Sequence, residues 1–284
     1  MELVYKENIN AKFLSTYKGG GNVRYVVYPT TISMVRKVVS FALGEGFPFF
    51  ILGNGSNTLI RDIGYNGIFI STKRLNKVSF YADNIYSGSG VNVKKLYDIA
   101  LSNSLSGLEE LAIIPASIGG LVVSNGGAFN RNICDLINDV DVLNLSTLEV
   151  ERIGNKDIEY GYRKCSLKDK YLVLGVRLKL QFADKNNIIT RFDECKTYRQ
   201  NTQPKESSLG SVYKRDGYIP AKLIESLGLK GFTIGGAMVS TKHSNFIVNT
   251  GLGTATDYIN VMEKVESLVL AKFGVNLQRE IVIV

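Results

Sequence analysis

The sequence feature that most constrains the fold is a glycine-rich loop that directly follows an apolar run. Residues 47–52 are apolar throughout, and residues 53–59 read Gly-Asn-Gly-Ser-Asn-Thr-Leu. Glycines have no Cβ, so they let the backbone bend tightly and approach a ligand closely. Successive N–H groups in such a turn can point into one concavity and bind an anion, typically a phosphate. A simple turn between two strands, without any ligand, explains these residues equally well.

The loop lacks the fingerprints of the commonest nucleotide-binding motifs. Thr58 stands where a dinucleotide fingerprint has its third glycine, and no Gly-Lys-Ser/Thr follows, as a P-loop requires. The single histidine, His243, excludes metal sites built from several histidines. No Gly-x-Ser-x-Gly occurs, so a hydrolase nucleophile elbow has no starting point.

Length and charge narrow the class of ligand. A chain of 284 residues predicts two or three domains, and its net charge of +8 favours anionic partners. The basic residues are scattered and form no long run, which favours small anionic ligands over nucleic acid. Three cysteines without a Cys-x-x-Cys pair indicate a reducing cytosol. The N-terminus has no signal-peptide core and no apolar run is long enough for a membrane span, so we expect a cytoplasmic protein.

Hydrophobic periodicity predicts alternating helices and strands. The first glycine-rich loop lies at the end of a strand in a small α/β unit, where such sheets commonly bind ligands. We expect a domain boundary near residue 187, where the pattern changes. The predicted strands are 24–28, 47–52, 67–71, 78–80, 85–87, 140–145, 148–153, 172–182 and 280–284. The predicted helices begin after Thr30 or Thr31, near Val93, at Pro220 and near Thr256, the last being stopped by Gly274.

A second glycine-rich segment, residues 107–129, is unusually apolar for a loop. It contains five glycines and almost no charge beyond Glu109 and Glu110. We therefore expect it to be buried, either against a flat cofactor or in a core where two backbones approach closely.

Further polar motifs occur in glycine-rich surroundings, and each alone is more often structural than functional. Together and in order, they are similar to those of the UDP-N-acetylenolpyruvoylglucosamine reductase (UDP-N-acetylmuramate dehydrogenase) family, in its shorter subtype. The resemblance covers nearly the whole chain. It rests on Thr16-Tyr-Lys, Gly20-Gly21, Leu52–Asn57, Asp62-x-Gly64, Gly107-Leu-Glu109, Ile114-Pro115, Gly119-Gly120, Asn125, Tyr162-Arg163, Gln203-Pro204, Gly210–Lys214, Gly228–Gly231, Gly235–Ala237, Lys242-His243 and Phe246–Asn249.

The resemblance implies an α+β fold. It has a two-part FAD-binding domain of the vanillyl-alcohol-oxidase-like type and a third α+β domain for substrate. The implied division is residues 1–72 with the C-terminal strand 275–284, residues 73–187, and substrate domain 188–274. FAD is bound non-covalently, NADPH is the co-substrate and UDP-N-acetylglucosamine enolpyruvate is the substrate. We expect a monomer without nucleic-acid or membrane partners.

The resemblance also implies roles for individual residues. Ser211 is the general acid that protonates the substrate enolate, and Arg163 and Glu280 stabilise that intermediate. Arg199, Lys214 and His243 match positions near the substrate. The cofactor-binding positions are Leu52, Gly53, Asn54, Gly55, Ser56, Asn57, Ile114, Pro115, Ser117, Gly119, Gly120 and Asn125. A side chain at Gly55 is expected to enter the path of the cofactor.

This chain departs from the family pattern at a few positions. Arg215-Asp216 replaces the usual Asn-Pro after Lys214, which puts contacts to the substrate diphosphate in doubt. The smaller changes are Gly19, Ala116, Gly126 and Cys165. Two alternatives remain open: a flavin oxidoreductase of the same fold with another acceptor, or a non-catalytic protein that binds a nucleotide sugar or nucleic acid.

Overall fold

The fold is known from a computed structural model, which describes residues 3–284. The helices in this range are α1 (Ile32–Gly44), α2 (Val93–Ser102), α3 (Ile118–Val123), α4 (Lys185–Thr202), α5 (Pro220–Ser226) and α6 (Ala255–Phe273). Short 3₁₀ turns occupy Ala11–Phe13, Thr72–Arg74, Ile133–Asp135 and Asn155–Asp157.

The strands are numerous and mostly short. They are β1 (Val4–Asn10), β2 (Asn22–Tyr28), β3 (Phe49–Leu52), β4 (Thr58–Leu59), β5 (Tyr65–Ser71), β6 (Val78–Tyr81), β7 (Asn84–Gly88), β8 (Leu105–Ser106), β9 (Gly127–Ala128), β10 (Arg131–Asn132), β11 (Ile137–Asn144), β12 (Val150–Gly154), β13 (Tyr160–Gly161), β14 (Lys164–Cys165), β15 (Tyr171–Lys179), β16 (Gln181–Phe182), β17 (Ser207–Ser211), β18 (Thr233–Ile234), β19 (Ala237–Val239), β20 (Phe246–Asn249) and β21 (Val282–Ile283).

Three larger sheets organise these strands. The first has the order β1-β2-β5-β3, with β3 and β5 parallel, so that Leu52 at the end of β3 leads straight into the glycine-rich loop. The second is antiparallel with the order β12-β11-β15-β7-β6. The third is antiparallel with the order β17-β20-β19-β18. Two-stranded pairs complete the fold: β8 with β16, β9 with β10, β13 with β14, and β4 with β21.

The chain divides into two compact units, each assembled from separate segments. Unit 1 contains residues 3–6, 25–54 and 67–199. Unit 2 contains residues 7–24, 55–66 and 200–284. The three-domain division predicted from the sequence stays a prediction.

Unit 1 has two hydrophobic cores. In the larger, α2 and α3 pack on one face of the β15 sheet through fully buried side chains such as Leu96 and Val176. In the smaller, α1 covers β3 and β5 with Val35, Val38 and Val39. Helix α1 begins where it was predicted. The Thr31 side chain accepts a hydrogen bond from the Met34 backbone N–H and so caps the N-terminus of the helix.

Unit 2 has one core, in which α6 packs on the β20 sheet. Val261, Met262 and Val265 of the helix are fully buried. The helix is closed at both ends: Thr254 and Asp257 form a capping box, and Gly274 ends it in a left-handed conformation, as predicted.

Most predicted elements are present, with two corrections. Phe182 does not continue the apolar face of residues 172–180: β15 stops at Lys179, and Phe182 is 67% exposed in a separate strand. Helix α4 was not predicted and runs through residue 187, where the sequence placed a domain boundary. In the part of the chain described, no helix is long and apolar enough to cross a bilayer.

Candidate functional site

Within unit 1, the first half of the glycine-rich loop packs on the second glycine-rich segment. The Asn54 side-chain amide donates a hydrogen bond to the Pro115 carbonyl at 2.6 Å. A Cβ at Gly53 would collide with the Ser117 hydroxyl, which would have to move to make room for a side chain. The structure therefore places Gly53 and Asn54 against Pro115 and Ser117, with Leu52 buried.

The second segment turns at Ser117 into helix α3. The Ser117 hydroxyl accepts a hydrogen bond from the Gly120 amide at 3.4 Å and caps the helix. A Cβ at Gly119 would lie 2.7 Å from the Cβ of Ser89, which leaves no room for a side chain. Ile118 is completely buried, whereas Ile114 is half-buried and Pro115 is exposed. The segment is thus part of the core on one side and accessible on the other.

Two buried polar atoms beside these segments have no hydrogen-bond partner in the described residues. They are the Ser89 hydroxyl oxygen and the side-chain oxygen of Asn125. Buried polar groups are nearly always paired in native proteins, so unpaired ones often mark the place of a ligand or water. These unpaired polar atoms fit the FAD that the resemblance implies.

Arg163 lies in the two-residue turn between β13 and β14 of unit 1. Its guanidinium donates to the carbonyl of Asn125 at 3.4 Å and to that of Gly127 at 3.1 Å. The same group lies 4.9 Å above the ring of Tyr162. The sequence pattern identified Arg163 but missed Gly127, because a backbone carbonyl that accepts a hydrogen bond leaves no trace in the residue type.

Arg199 belongs to unit 1 as well. It lies near the end of helix α4 and donates a hydrogen bond to the Ile113 carbonyl at 2.6 Å. Burial lowers the pKa of its guanidinium from the ordinary value of an arginine. This predicted substrate residue therefore touches the segment that holds Ile114 and Pro115, a contact that the sequence did not reveal.

Unit 2 holds the second half of the glycine-rich loop, and here the structure shows a reason for glycine that the sequence did not predict. Gly55 has a φ of +70°, and a Cβ on it would strike the Leu14 carbonyl oxygen. Its own carbonyl accepts a hydrogen bond from the Thr16 amide at 3.0 Å. A side chain at Gly55 would thus displace the neighbouring backbone, and the need for glycine here comes from the chain itself.

Asn57 joins this loop to Glu280 within unit 2. Its side-chain amide donates to the Glu280 carbonyl at 3.0 Å. The Glu280 amide in turn donates to the Val212 carbonyl at 2.7 Å, next to Ser211. The backbone of two predicted catalytic residues is therefore fixed in one hydrogen-bonded arrangement.

A β-bulge presents Ser211. Ser208 pairs with Val248 and Ser211 with Phe246, so two residues of β17 oppose one of β20. Gly210 in the bulge has a φ of +78°. Bulges re-aim side chains and are common next to active sites. Ser211 is half-buried, and in the described residues its hydroxyl has no hydrogen-bond partner, which leaves its proton available.

His243 and Lys214 lie in the same unit. The His243 ring contacts Phe246 edge-on at 4.9 Å, and its Nδ1 accepts a hydrogen bond from the Asn245 amide at 3.2 Å. Burial lowers the pKa of His243, and the positive charge of Arg215 lowers it further. The imidazole is therefore neutral at pH 7. The Lys214 amide donates to the Gln278 carbonyl at 2.8 Å, and the departure at Arg215-Asp216 lies on an exposed turn.

Among the described residues 3–284, no three His, Cys, Asp or Glu side chains lie close enough together to bind a metal ion.

Two family models match the sequence. The model described as UDP-N-acetylenolpyruvoylglucosamine reductase, C-terminal domain, matches residues 203–284. The model described as FAD binding domain matches residues 23–153.

Curated relatives and solved structures agree with these models. UDP-N-acetylenolpyruvoylglucosamine reductase of Clostridium tetani is 42% identical over 282 residues, covering 98% of this chain and 92% of that protein. The enzyme of that name from Geobacillus kaustophilus is 39% identical over 268 residues, covering 93% and 88%. The crystal structure of UDP-N-acetylenolpyruvylglucosamine reductase from Thermus caldophilus superposes with a TM-score of 0.85 at 29% identity, covering 100% of this chain and 99% of that one.

A more distant likeness shows the fold alone. The BBE-like 1 protein of Physcomitrella patens matches with a TM-score of 0.50 at 15% identity, over 63% of this chain and 42% of that one. The α+β flavin-binding fold predicted from the sequence is confirmed.

Proposed function

The chain belongs to the UDP-N-acetylenolpyruvoylglucosamine reductase family, and from this membership we propose that it reduces UDP-N-acetylglucosamine enolpyruvate to UDP-N-acetylmuramate. The protein is an FAD-dependent oxidoreductase of peptidoglycan precursor synthesis, and NADPH is its co-substrate. The observation that carries this conclusion is the 42% identity that extends over 98% of the chain. The finer assignments, a cytoplasmic monomer that binds no nucleic acid or membrane, belong to the same proposal.

When bound, FAD supplies the hydride that reaches the enolpyruvyl carbon. The residues proposed to hold it in unit 1 are Leu52, Gly53, Asn54, Ile114, Pro115, Ser117, Gly119, Gly120 and Asn125. Those in unit 2 are Gly55, Ser56 and Asn57. The support is the hydrogen bond from Asn54 to the Pro115 carbonyl, which joins the two glycine-rich segments, together with the unpaired oxygen of Asn125.

Ser211 is proposed to donate the proton that completes the reduction. A serine hydroxyl is a weak acid, so it acts well only on a strongly basic acceptor such as a substrate enolate. Its half-buried position in the bulge and its unpaired hydroxyl support this role.

Arg163 and Glu280 are proposed to stabilise the enolate that Ser211 protonates. The Arg163 guanidinium is fixed by two carbonyls before any substrate arrives, and preorganised charge of this kind stabilises an anion with little reorganisation. Glu280 is half-buried and its backbone is tied to Asn57 and Val212.

Arg199, Lys214 and His243 are proposed to bind the substrate. Arg199 and Lys214 provide positive charge for the diphosphate and carboxylate groups. His243 is neutral at pH 7, so we expect it to bind through hydrogen bonding and ring contact instead of through charge.

An anaerobic two-step experiment tests the whole proposal. The purified protein with FAD is reduced with NADPH, and UDP-N-acetylglucosamine enolpyruvate is then added while flavin absorbance is followed. Rapid return of the oxidised spectrum supports cofactor, reductant and substrate together. Reduction without return would instead support another acceptor, with Arg215-Asp216 as the altered part of the pocket. A protein that stays colourless with FAD would contradict the proposal.

The role of Ser211 is tested by Ser211→Ala. We expect flavin reduction by NADPH to change less than about twofold, while reoxidation by substrate slows by about 100-fold or more, because an interaction made only in the second transition state is removed. Stopped-flow absorbance measures both steps. Ser208→Ala, on the same strand, is the matched control and leaves both steps unchanged. Equal slowing of both steps in Ser211→Ala would mean that the residue is structural.

A further inference from the structure

The turn that carries Arg163 has an unusual backbone. It joins β13 to β14, where Tyr160 pairs with Cys165 and Gly161 with Lys164. Arg163 has a φ of +55°, in the left-handed region that glycine or asparagine normally occupies. A non-glycine residue persists there only when its surroundings hold it.

Asn125 is the residue that holds this turn. Its side-chain amide donates to the Gly161 carbonyl at 3.0 Å, just before the turn. Its backbone carbonyl accepts from the Arg163 guanidinium at 3.4 Å, just after it. Asn125 therefore contacts both sides of Tyr162, once through its side chain and once through its backbone.

Asn125 is itself well fixed. It is 5% exposed and has a φ of +41°. Its backbone N–H donates a hydrogen bond to the Val122 carbonyl at 3.0 Å, at the end of helix α3. The Gly127 carbonyl, two residues later, accepts the second guanidinium hydrogen bond at 3.1 Å. Residues 125 and 127 thus each accept one hydrogen bond from the Arg163 guanidinium through a backbone carbonyl.

From this geometry we infer that Asn125 is a positioning residue for Arg163. Its side-chain nitrogen fixes the turn, and the guanidinium then has one orientation toward the substrate enolate. The side-chain oxygen, which is buried and unpaired, takes no part in this contact and stays available to the cofactor. The inference rests on the proposed role of Arg163 in stabilising the enolate.

The test is a double-mutant cycle of Asn125→Gly and Arg163→Ala, at saturating FAD. Glycine at position 125 accepts the positive φ and keeps the backbone carbonyl while it removes the side chain. We expect Asn125→Gly to slow flavin reoxidation by substrate about 10- to 100-fold, since small misplacements of a catalytic group have effects of this size. In the Arg163→Ala background, Asn125→Gly then has no further effect.

An NMR experiment provides a second test, which needs neither substrate nor cofactor. In ¹⁵N NMR of the FAD-free protein, the signal of the Arg163 guanidinium Nη groups, which donate the two hydrogen bonds, is identified by its loss in Arg163→Ala. We expect Asn125→Gly to move this signal to the position of a freely moving arginine. Asn125→Asp, which keeps the shape but loses the donor, is the second variant should glycine unfold the segment.

Asn155→Ala is the matched control. Asn155 also has a buried, unpaired side-chain oxygen, but its amide donates to Cys134 at 3.5 Å and not to the Arg163 turn. We expect Asn155→Ala to leave the rates of flavin reduction and flavin reoxidation unchanged, and the Arg163 NMR signal as well. Independent, multiplying effects of Asn125→Gly and Arg163→Ala would overturn the inference. Failure of Arg163→Ala alone to slow reoxidation would instead contradict the proposed role of Arg163.

Discussion

At the scale of single residues, the site stores strain in its backbone. Arg163 and Asn125 are both non-glycine residues with positive φ, at +55° and +41°. Left-handed backbone costs an L-residue roughly 1–2 kcal/mol. Strained residues tend to lie where function needs a fixed geometry.

The strain at Arg163 can be measured by comparing two variants. Arg163→Ala and Arg163→Gly both lose the guanidinium, but only glycine accepts the positive φ without a penalty. We expect Arg163→Gly to be more stable than Arg163→Ala by about 1 kcal/mol in urea unfolding. The neighbouring Tyr162, whose φ is not positive, provides the control: there the glycine variant is less stable than the alanine variant. If the glycine variant were more stable than the alanine variant at both positions, or less stable at both, backbone strain at Arg163 would be contradicted.

Residue types in the sequence suggest which side chains are catalytic, but they do not show which contacts hold those side chains in place. Ser211, Arg163 and Glu280 could be proposed from their motifs. The hydrogen bonds from Arg163 to Asn125 and Gly127 use backbone carbonyls, which every residue has, so no pattern marks them. The crowding at Gly55 could not be predicted either, because the Leu14 carbonyl that lies beside it is 41 positions away in the chain.

At the scale of elements, the bulge in β17 places a residue with positive φ directly before Ser211, the proposed proton donor. Gly210 has a φ of +78° yet has open space around it, since no heavy atom lies within 4 Å of the position that a Cβ would take. Substitution there strains the backbone without any collision. The residue that follows is Ser211, so any change in the bulge changes the direction of its hydroxyl.

Gly210→Ala tests this coupling. We expect a loss of about 1 kcal/mol in the free energy of unfolding from the left-handed backbone, together with slower flavin reoxidation by substrate. Gly44→Ala is the control: it also has no atom within 4 Å, but no positive φ, and lies at the end of helix α1. That variant keeps its activity and is unchanged or stabilised by up to about 1 kcal/mol. If Gly210→Ala reoxidised its flavin at the unchanged rate, the bulge would not contribute to the proposed proton donation by Ser211.

Elements with a strong apolar period could be predicted, and α4 shows why others could not. Helices α1 and α6 have stripes of buried apolar residues and clear capping residues. Helix α4 is 18 residues long but buries only Ile188, Phe192 and Cys195. With so narrow an apolar stripe, its sequence resembles a polar loop, although it carries Arg199.

At the scale of the whole molecule, the units are interleaved along the chain. Each is assembled from three segments, and the glycine-rich loop changes unit between Asn54 and Gly55. Composition and periodicity are local properties, so they predict elements but not which distant segments pack together. The overall charge of +8 was more informative, since FAD, NADPH and the nucleotide sugar are all anionic.

Removal of FAD tests the molecule as a whole. A ligand that binds only the folded state stabilises it by RT ln(1 + [L]/Kd), about 2.7 kcal/mol at 100 times Kd. We expect the FAD-free protein to melt at a lower temperature and to regain stability as FAD is added, measured by thermal unfolding against FAD concentration. Riboflavin, which lacks the diphosphate, is the control and has a much smaller effect. A melting temperature that is indifferent to FAD would contradict non-covalent FAD binding.

The hydrogen bond from Asn57 to Glu280 also bears on how the protein acquires its activity. It joins residues 223 positions apart, and the parallel pairing of β4 with β21 closes the same long stretch of chain. Bringing such distant segments together costs entropy before any contact is gained, so contacts of this kind form slowly. Local helices and hairpins can therefore assemble while Glu280 is still unplaced. We therefore expect the Glu280 carboxylate, proposed to act in catalysis, to be among the last groups to reach its position, so that activity appears after most of the chain has folded.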